Sequence, residues 1–386
     1  MRKRIIAMIL CVMTVLCGCA QTNDAPGFDK SVSMTASEVA ERMGIGLNLG
    51  NTMEAYESTN CEKASYEWIP ICGDNTPKDY ETRWGAIETT QKIINGIKAE
   101  GFNTVRIPVF WGNMMENDGT WTIAPEYLER VKEIVDYCMK ADMFAVVNCH
   151  HFDEFIIRRN NVEECEKIFT TLWTQIADYF KDYPYTLVFE GFNEYLGASQ
   201  FNENGELKDP GQQSAYEMTN TCNQAFVDAV RATGSNNADR VLIVSGYNTN
   251  IDRTTSPLFK MPNDTAKDRL MVSVHYVDNA MYWSNSIGSQ RWLDYTDSQC
   301  KLLEDAFTSK GIPVFLGETT AQYPTDRFAF DAIHTDSAEC LEIVLNKLKE
   351  KGFVPVIWDT CNDFYSRTDC KIIKDDNAEV IHNYTK

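Results

Sequence analysis

The sequence repeats one unit about eight times between residues 45 and 358: a short apolar run, then an amphipathic stretch. Short apolar runs are typical of buried strands, and apolar residues spaced by three and four are typical of packed helices. The predicted strands are 45–49, 104–108, 144–149, 187–192, 241–245, 270–275, 313–317 and 354–358, and the clearest helices are 126–139, 165–180, 215–232, 299–309 and 337–349. This repeat predicts an α/β protein built as a single (β/α)8 TIM barrel.

A doubly wound open sheet is the competing α/β fold. It is disfavoured because no Gly-x-Gly-x-x-Gly segment follows the first predicted strand. Local signals agree with the helix assignment: Thr35 and Glu38 form a capping box that begins a short helix ending near Met43. Glycines such as Gly311 and Gly352 follow predicted helices, where a left-handed residue ends the helix before the next strand.

Residues 1–18 have the pattern of a signal peptide, with basic residues at 2–4 and an apolar run at 5–16. The segment Leu-Cys-Gly-Cys at 16–19 resembles the bacterial lipobox, which makes Cys19 the expected lipidation site. Residues 19–33 are polar and are predicted to be a tether, leaving 34–386 as the catalytic barrel domain. We therefore expect an exported bacterial lipoprotein anchored to a membrane, at the cell surface.

The formal net charge of −20 excludes an electrostatic surface for nucleic acid, whereas a neutral polymer remains a compatible partner. Most cysteines after the signal segment occupy helix or strand patterns and are expected to be small buried residues. Two loop pairs are close enough to suggest disulfides, Cys61 with Cys72 and Cys361 with Cys370. Neither a Cys-x-x-Cys pair nor a His-Glu-x-x-His segment is present, so we expect no metal site and no cofactor.

Polar side chains end most of the predicted strands, and the carboxyl ends of barrel strands meet at one face. The fourth strand ends in Asn193 and Glu194, and the seventh ends in Glu318. Two glutamates at such positions suit retaining glycoside hydrolysis, in which an acid/base and a nucleophile lie about 5–5.5 Å apart. The other strand-end candidates are Asn48 and Asn51 (first), Arg106 (second), His150 and His151 (third), His275 and Tyr276 (sixth) and Trp358 (eighth).

In chain order, these positions form the segments GLNLGNT (46–52), TVRIPV (104–109), HH (150–151) and FNE (192–194), then His275, GE (317–318) and Trp358. The set resembles glycoside hydrolase family 5, the retaining β-glycanases on (β/α)8 barrels, from Gly44 to about Asp359. The segment ETRWG (81–85), followed by Thr89 and Thr90, resembles the branch of bacterial endoglucanases. Members of that branch act on cellulose, mixed-linkage glucan and xyloglucan.

The resemblance implies that Glu194 is the acid/base, with a raised pKa, and that Glu318 is the nucleophile. It also implies that Asn193 binds the sugar 2-hydroxyl and that Arg106 keeps Glu318 ionised. His150 and His275 would orient the carboxylates and the sugar hydroxyls, and Trp358 would stack under the sugar beside the scissile bond. The candidate residues for outer subsites are His151, Asn48, Asn51, Trp84 and Trp111.

One position departs from the pattern. The family usually has His-x-Tyr at the sixth strand, with the tyrosine hydroxyl on the nucleophile, whereas this chain has His275, Tyr276 and Val277. Successive strand residues face opposite ways, so Tyr276 reaches the nucleophile only through a local irregularity. Tyr282, from the following loop, is the alternative.

The expected function is endo-acting hydrolysis of β-1,4-glucosidic bonds in plant cell-wall glucans by a monomer. A β-mannanase on the same fold is one alternative, and it would differ in its loops. A catalytically inactive sugar-binding surface lipoprotein and a metal-dependent hydrolase are alternatives of other classes, which turnover of a soluble glucan and activity in a chelator would test.

Overall fold

The computed structural model describes residues 31–57, 70–116, 118–151, 162–194 and 213–386. Eight parallel strands close into a barrel in chain order, with the first strand paired to the eighth. They are β1 (Gly46–Asn48), β2 (Thr104–Ile107), β3 (Phe144–Asn148), β4 (Leu187–Glu190), β5 (Leu242–Ser245), β6 (Leu270–His275), β7 (Val314–Thr319) and β8 (Val354–Ile357). The predicted (β/α)8 barrel is confirmed, whereas the signal peptide, Cys19 and Cys61 lie outside the described residues.

Helices flank the barrel before, between and after its strands. They are α1 (Ala36–Met43), α2 (Pro77–Glu81), α3 (Gln91–Ala99), α4 (Pro125–Lys140), α5 (Val162–Phe180), α6 (Gln213–Ala232), α7 (Ile251–Thr254), α8 (Asn279–Trp283), α9 (Gln290–Ala306), α10 (Ser337–Glu350) and α11 (Asp375–Tyr384). A two-stranded antiparallel hairpin, β9 (Tyr365–Ser366) with β10 (Lys371–Ile372), follows β8.

Most element boundaries agree with the sequence prediction, and α9 is the main exception. It begins at Gln290, nine residues before the predicted start at Gln299. Ser289 caps it by accepting a hydrogen bond from the Trp292 amide, and Trp292 is fully buried. Residues 290–298 are mostly polar, so their apolar periodicity is weak. The sequence alone therefore did not show that the first turn of α9 is anchored by one buried tryptophan.

The amino end of the barrel is closed by α1. Met34, Val39 and Met43 pack against inward-facing strand residues such as Val188 and Phe315, which forms an apolar plug. The Thr35 hydroxyl and the Glu38 carboxylate complete the predicted capping box, which fixes where this helix begins. Since the lower barrel is filled by apolar side chains, polar side chains that point inward are displaced to the opposite, carboxyl end.

An irregularity between β6 and β7 shapes that carboxyl end. Val274 pairs with Leu316 and His275 pairs with Glu318, so Gly317 is the extra residue in β7. A Cβ atom on Gly317 would lie 2.9 Å from His275 Nε2 and 3.2 Å from a carboxylate oxygen of Glu190. Glycine is therefore required here, because the strand passes directly against these polar side chains.

The predicted Cys361–Cys370 disulfide is not formed, because both residues are free thiols. Both have positive φ angles, 73° and 58°, in the loop that carries β9 and β10. Cys72 is a buried free thiol, and its suggested partner Cys61 is outside the described residues. Among the described helices, none combines the length and the apolar character that crossing a bilayer requires.

Candidate active site

The polar strand ends meet in one cleft at the carboxyl face of the barrel. The cleft has a volume of about 480 Å³ and contains Glu194, Glu318, Tyr276 and Trp358 in its wall. Its remaining lining comes from the segments after β6, β7 and β8: Asn279, Tyr282, Trp283, Thr320, Ala321, Gln322 and Asp363. The structure thus brings Glu194, Tyr276, Glu318 and Trp358 together at the carboxyl ends of their strands.

Glu318 is held by groups from three directions. Tyr276 donates a hydrogen bond of 2.5 Å to its Oε2 atom. The Arg106 Nη1 atom lies 3.5 Å from the Oε1 atom, and His275 Nδ1 lies 3.6 Å from Oε2. Its side chain is only 8% exposed. A buried carboxylate with these neighbours has a fixed position and orientation.

The position of Tyr276 answers the question raised by the missing His-x-Tyr spacing. Tyr276 directly follows β6 and has a φ angle of +40°, which turns it out of the strand alternation. Its amide donates to the Glu318 carbonyl at 3.0 Å, while its hydroxyl reaches the carboxylate of the same residue. A left-handed backbone and the β7 bulge together replace the usual spacing. No described hydrogen bond joins Tyr282 to Glu318.

Glu194 follows β4 on a segment whose backbone is fixed by its neighbours. Gly191 donates to the Ile243 carbonyl and Asn193 donates to the Cys149 carbonyl, so hydrogen bonds to both neighbouring strand segments hold the backbone after β4. The Glu194 Oε1 atom lies 2.9 Å from His275 Nδ1, and 46% of its side chain is exposed. Glu194 therefore faces the cleft, and the described residues supply no hydrogen-bond donor to its Oε2 atom.

Arg106 is the fully buried centre of the polar network. Its Nε atom donates to Glu190 at 2.6 Å, Nη1 donates to Asn48 Oδ1 at 3.0 Å, and Nη2 donates to Asn193 Oδ1 at 2.7 Å. Glu190 was missed by the sequence reasoning, which placed it inside an apolar strand. The signal was its charge: a glutamate within a buried strand requires a cationic partner, and Arg106 was already predicted to point to the same face.

His150 contacts amides where the sequence prediction placed carboxylates. Its Nε2 atom lies 3.1 Å from Asn193 Nδ2, and its Nδ1 atom lies 3.1 Å from Asn148 Nδ2. It is almost completely buried, and burial is the largest of the causes that lower its pKa well below the usual range. His150 is therefore a neutral group that orients Asn193.

The candidate subsite residues separate into two groups. Trp84 and His151 form an aromatic cluster with Tyr56 and Phe110, with ring centroids 5.0–5.8 Å apart. The Nε2 atom of His151 has no hydrogen-bond partner among the described residues. Trp358 is partly exposed in the cleft and lies parallel to His150, at 6.2 Å. Trp358 is therefore available to a ligand in the cleft, whereas Trp84 and His151 are not among the residues that line it.

The other three predicted subsite residues are used by the fold. Trp111 is fully buried and donates to the Asn148 carbonyl, so it belongs to the core and not to a subsite. Asn48 is also fully buried, because it donates to the carbonyls of Gly317 and Ile357 while accepting from Arg106. Asn51 is partly buried and its amide group donates to the Thr360 carbonyl. Sequence could not separate these roles, since each residue is a plausible sugar ligand when its partners are unknown.

The pKa directions of the two glutamates are opposite to those expected. Burial raises the pKa of Glu318, and the negative charge of Glu194 raises it further. For Glu194, burial acts upward, but the hydrogen bond and charge of His275 and the charge of Arg106 outweigh it, so its pKa is lowered. The prediction that its site raises the pKa of Glu194 is therefore wrong.

The same side chains satisfy the distance requirement of a metal site. Ligand atoms of Glu194, His275 and Glu318 all lie within 4.8 Å of one another. However, the Glu318 carboxylate already accepts from Tyr276 and faces Arg106, so a cation there would have to compete with an existing positive charge. Paired carboxylates about 5 Å apart are what a retaining glycosidase requires without any metal.

Comparison with known proteins agrees with this geometry. The family description Cellulase (glycosyl hydrolase family 5) matches residues 65–364. Endoglucanase A of Clostridium longisporum is 33% identical over 341 residues, a match that covers 84% of this chain and 59% of that enzyme. The chain thus spans less than two thirds of the length of that relative.

Two solved structures have the same fold over nearly their whole length. A broad specificity endoglucanase from an uncultured bovine rumen ciliate is 32% identical, with a TM-score of 0.75 and coverage of 91% of this chain and 98% of that one. A xyloglucan-specific endo-β-1,4-glucanase from a metagenomic library, in complex with cellotriose, is 28% identical, with a TM-score of 0.74 and coverage of 90% and 98%. The resemblance noted in the sequence is confirmed, and this chain belongs to glycosyl hydrolase family 5.

Proposed function

We propose that the protein is a retaining endo-β-1,4-glucanase in which Glu318 is the nucleophile and Glu194 is the acid/base. The observation that carries this proposal is the closeness of the two carboxylates, which line an open cleft with one oxygen of each within 4.8 Å of an oxygen of the other. Inverting enzymes need about 6.5–9.5 Å between the two groups to hold a water molecule. The shorter separation leaves room for direct attack by one carboxylate on the sugar.

In the first step, protonated Glu194 donates its proton to the glycosidic oxygen while a Glu318 oxygen bonds to the anomeric carbon. The leaving group departs as an alcohol, and a glycosyl-enzyme remains. In the second step, ionised Glu194 takes a proton from water, the water oxygen bonds to the anomeric carbon, and Glu318 is released as a carboxylate. Both proton transfers use Glu194, which explains why it faces the cleft.

The assignment of roles follows from the surroundings of each glutamate. Tyr276 and Arg106 supply a hydrogen bond and a positive charge to Glu318, which suit a group that must attack as an anion. Asn193 is held by Arg106 and His150, so its amide is fixed beside the cleft for a sugar hydroxyl. Trp358 supplies an apolar face for the sugar ring.

The substrate we propose is a β-1,4-linked glucan, including cellulose, mixed-linkage glucan and xyloglucan. Aromatic side chains line the open cleft beside the two glutamates: Trp358, Tyr282 and Trp283, which is 66% exposed. An open cleft with several stacking faces admits the middle of a chain, which supports endo cleavage. The names of the related enzymes, broad specificity endoglucanase and xyloglucan-specific glucanase, support the same substrate class.

The test is hydrolysis of carboxymethylcellulose, barley β-glucan, xyloglucan and mannan, with the anomeric configuration of the first product followed by NMR. We expect fast loss of viscosity on the glucans, a β-configured first product and unchanged rates in a chelator. Preferential hydrolysis of mannan would assign the protein as a mannanase, an α-configured first product would refute the retaining mechanism, and absence of all turnover would support a sugar-binding role.

We also propose that Cys19 carries a lipid that anchors the enzyme to a bacterial membrane, with the cleft on the cell surface. The support is the sequence at 16–19 after an apolar run. Two or three acyl chains give stable anchoring where one gives only weak binding. Cys19→Ala should release the enzyme from the membrane fraction, and equal retention of the variant and the wild type would refute the anchor.

A further inference from the structure

A third glutamate, Glu190, lies below the catalytic pair and has no part in the mechanism described above. It is the last residue of β4 and is fully buried. Its Oε2 atom accepts from Arg106 Nε at 2.6 Å, and its Oε1 atom accepts from the Ser273 hydroxyl at 2.7 Å. A charge buried so deeply is expensive to maintain unless its partner is also buried, and Arg106 is.

The guanidinium of Arg106 lies between two carboxylates and is closer to one of them. Glu190 is the nearer, at 2.6 Å, whereas Glu318 is 3.5 Å away and meets only the Nη1 atom. The Nη2 atom is used by Asn193, and Nη1 is shared with Asn48. The two-pronged contact that arginine normally offers a carboxylate is therefore not made to Glu318.

This arrangement matters because the nucleophile must be ionised and yet reactive. A bidentate arginine would hold the Glu318 carboxylate strongly, but it would also occupy the oxygens that attack and reduce their electron density. We propose that Glu190 is a positioning residue that holds Arg106 and partly neutralises its charge. Arg106 then stabilises the position of Glu318 without forming a bidentate ion pair with it. The inference rests on the proposed function, since it assumes that Glu318 is the nucleophile.

The direction of the effect follows from the charges that face Glu318. They are Arg106 from β2, Glu194 after β4, and His275 and Tyr276 at the end of β6, with Glu190 behind Arg106. Glu190→Gln removes one negative charge and frees the arginine to turn toward Glu318. The Glu318 pKa should fall, so the nucleophile stays ionised to lower pH and the acidic limb of the kcat/KM profile moves to lower pH.

The rate should fall at the same time. A carboxylate held by a full arginine fork is a weaker nucleophile and is displaced from its attacking position, and a misplacement of about 1 Å can cost on the order of 100-fold. We expect Glu190→Gln to lower the rate of glycosyl-enzyme formation by roughly 10- to 100-fold. A mere loss of folded protein would reduce the amplitude of the pH profile without moving its acidic limb.

The experiment measures glycosyl-enzyme formation with a 2-deoxy-2-fluoro-β-cellobioside carrying a dinitrophenyl leaving group, together with the pH dependence of kcat/KM on a soluble glucan. The matched control is Ser273→Ala, which removes the other hydrogen bond to Glu190 but keeps its charge. We expect slower labelling of Glu318 and an acidic limb at lower pH in Glu190→Gln, and an unmoved limb in Ser273→Ala.

Should Glu190→Gln fail to fold, Glu190→Asp keeps the charge at a greater distance from Arg106 and should give a smaller displacement of the limb in the same direction. An acidic limb that stays in place, or moves to higher pH, in the folded Glu190 variant overturns the proposal. The proposed function fails separately, if the wild-type enzyme neither hydrolyses glucan nor becomes labelled at Glu318.

Discussion

The two glutamates proposed as the catalytic pair, Glu194 and Glu318, stand at the ends of two strands of the same barrel, but the fold holds them very differently. The Glu318 side chain is 8% exposed and is contacted or faced by Tyr276, Arg106 and His275. The Glu194 side chain is 46% exposed, and the described residues give its carboxylate one hydrogen bond, to His275. Glu318 belongs to the last layer of the barrel interior, whereas Glu194 lies beyond it.

The difference corresponds to what each group has to do. A nucleophile performs one operation at one point, so a rigid setting with fixed donors serves it throughout the cycle. An acid/base must lose a proton, meet water and regain a proton, which a fully enclosed carboxyl could not do. Loss of the buried Glu318 should therefore abolish turnover of every substrate, while the effect of losing the more exposed Glu194 should depend on the substrate.

The largest effect is expected for Glu318→Ala. No other described side chain is placed to form the glycosyl-enzyme, and removal of a nucleophile from a covalent hydrolase costs on the order of 10⁶-fold in kcat. Azide should partly restore turnover of an activated β-glycoside and give an α-glycosyl azide, because it enters from the vacated side. Turnover by the variant at more than about a hundredth of the wild-type rate would contradict the assignment.

Glu194→Gln should have a large but conditional effect. Acid/base catalysis contributes roughly 10²- to 10⁴-fold, so hydrolysis of a natural glucan should fall by that amount. With a dinitrophenyl leaving group, which needs no proton, the first step should be nearly normal, and azide should give a β-glycosyl azide because Glu318 remains. An equal loss on both substrates would show that Glu194 acts other than by proton transfer.

Tyr276→Phe tests the fixed setting of Glu318 itself. One hydrogen bond to a charged group is worth about 1.5–3 kcal/mol. The rate should therefore fall by roughly ten- to more than a hundredfold, a loss measured as kcat/KM on a soluble glucan. Tyr282→Phe is the matched comparison, because no described hydrogen bond joins Tyr282 to Glu318, and its loss should be smaller. A larger loss in Tyr282→Phe than in Tyr276→Phe would mean that Tyr282 replaces Tyr276 as the donor to Glu318 when substrate is bound.

The contrast between the two glutamates also separates what the sequence could predict from what it could not. Strand ends follow from apolar runs, so the positions of Glu194, Glu318 and Arg106 were predictable. The contact of Tyr276 depends on a bulge at Gly317 and a φ angle of +40°, which no periodicity records. Burial was the second property that the sequence did not show. Tryptophan side chains often stack on sugar rings, and only the fully buried position of Trp111 shows that it belongs to the core.

The hydrogen-bond partners of a side chain decide its role where the residue type alone leaves several roles open. Asn48 was a reasonable sugar ligand until its three hydrogen bonds inside the barrel were known, and Glu190 was hidden within an apolar strand. The pKa directions were unpredictable for the same reason. They depend on whether His275 lies nearer to one glutamate than to the other, and its Nδ1 atom is 2.9 Å from Glu194 and 3.6 Å from Glu318.

The smallest expected effect concerns how substrate changes that balance. The pKa of Glu318 is raised and that of Glu194 is lowered, which is the reverse of the order that catalysis needs. A bound glucan covers the exposed side of Glu194, which raises its pKa, and its hydroxyls donate to Glu318, which lowers that pKa.

The acid then stays protonated to higher pH and the nucleophile stays ionised to lower pH. The pH profile of kcat reports the enzyme–substrate complex, and that of kcat/KM reports the free enzyme. The acidic limb of kcat should therefore lie at lower pH than that of kcat/KM, and its basic limb at higher pH. Measuring the two profiles on one soluble glucan decides this. Coincident profiles would show that substrate leaves the charges undisturbed, and the contrast between the exposed and the buried glutamate would then persist unchanged through the catalytic cycle.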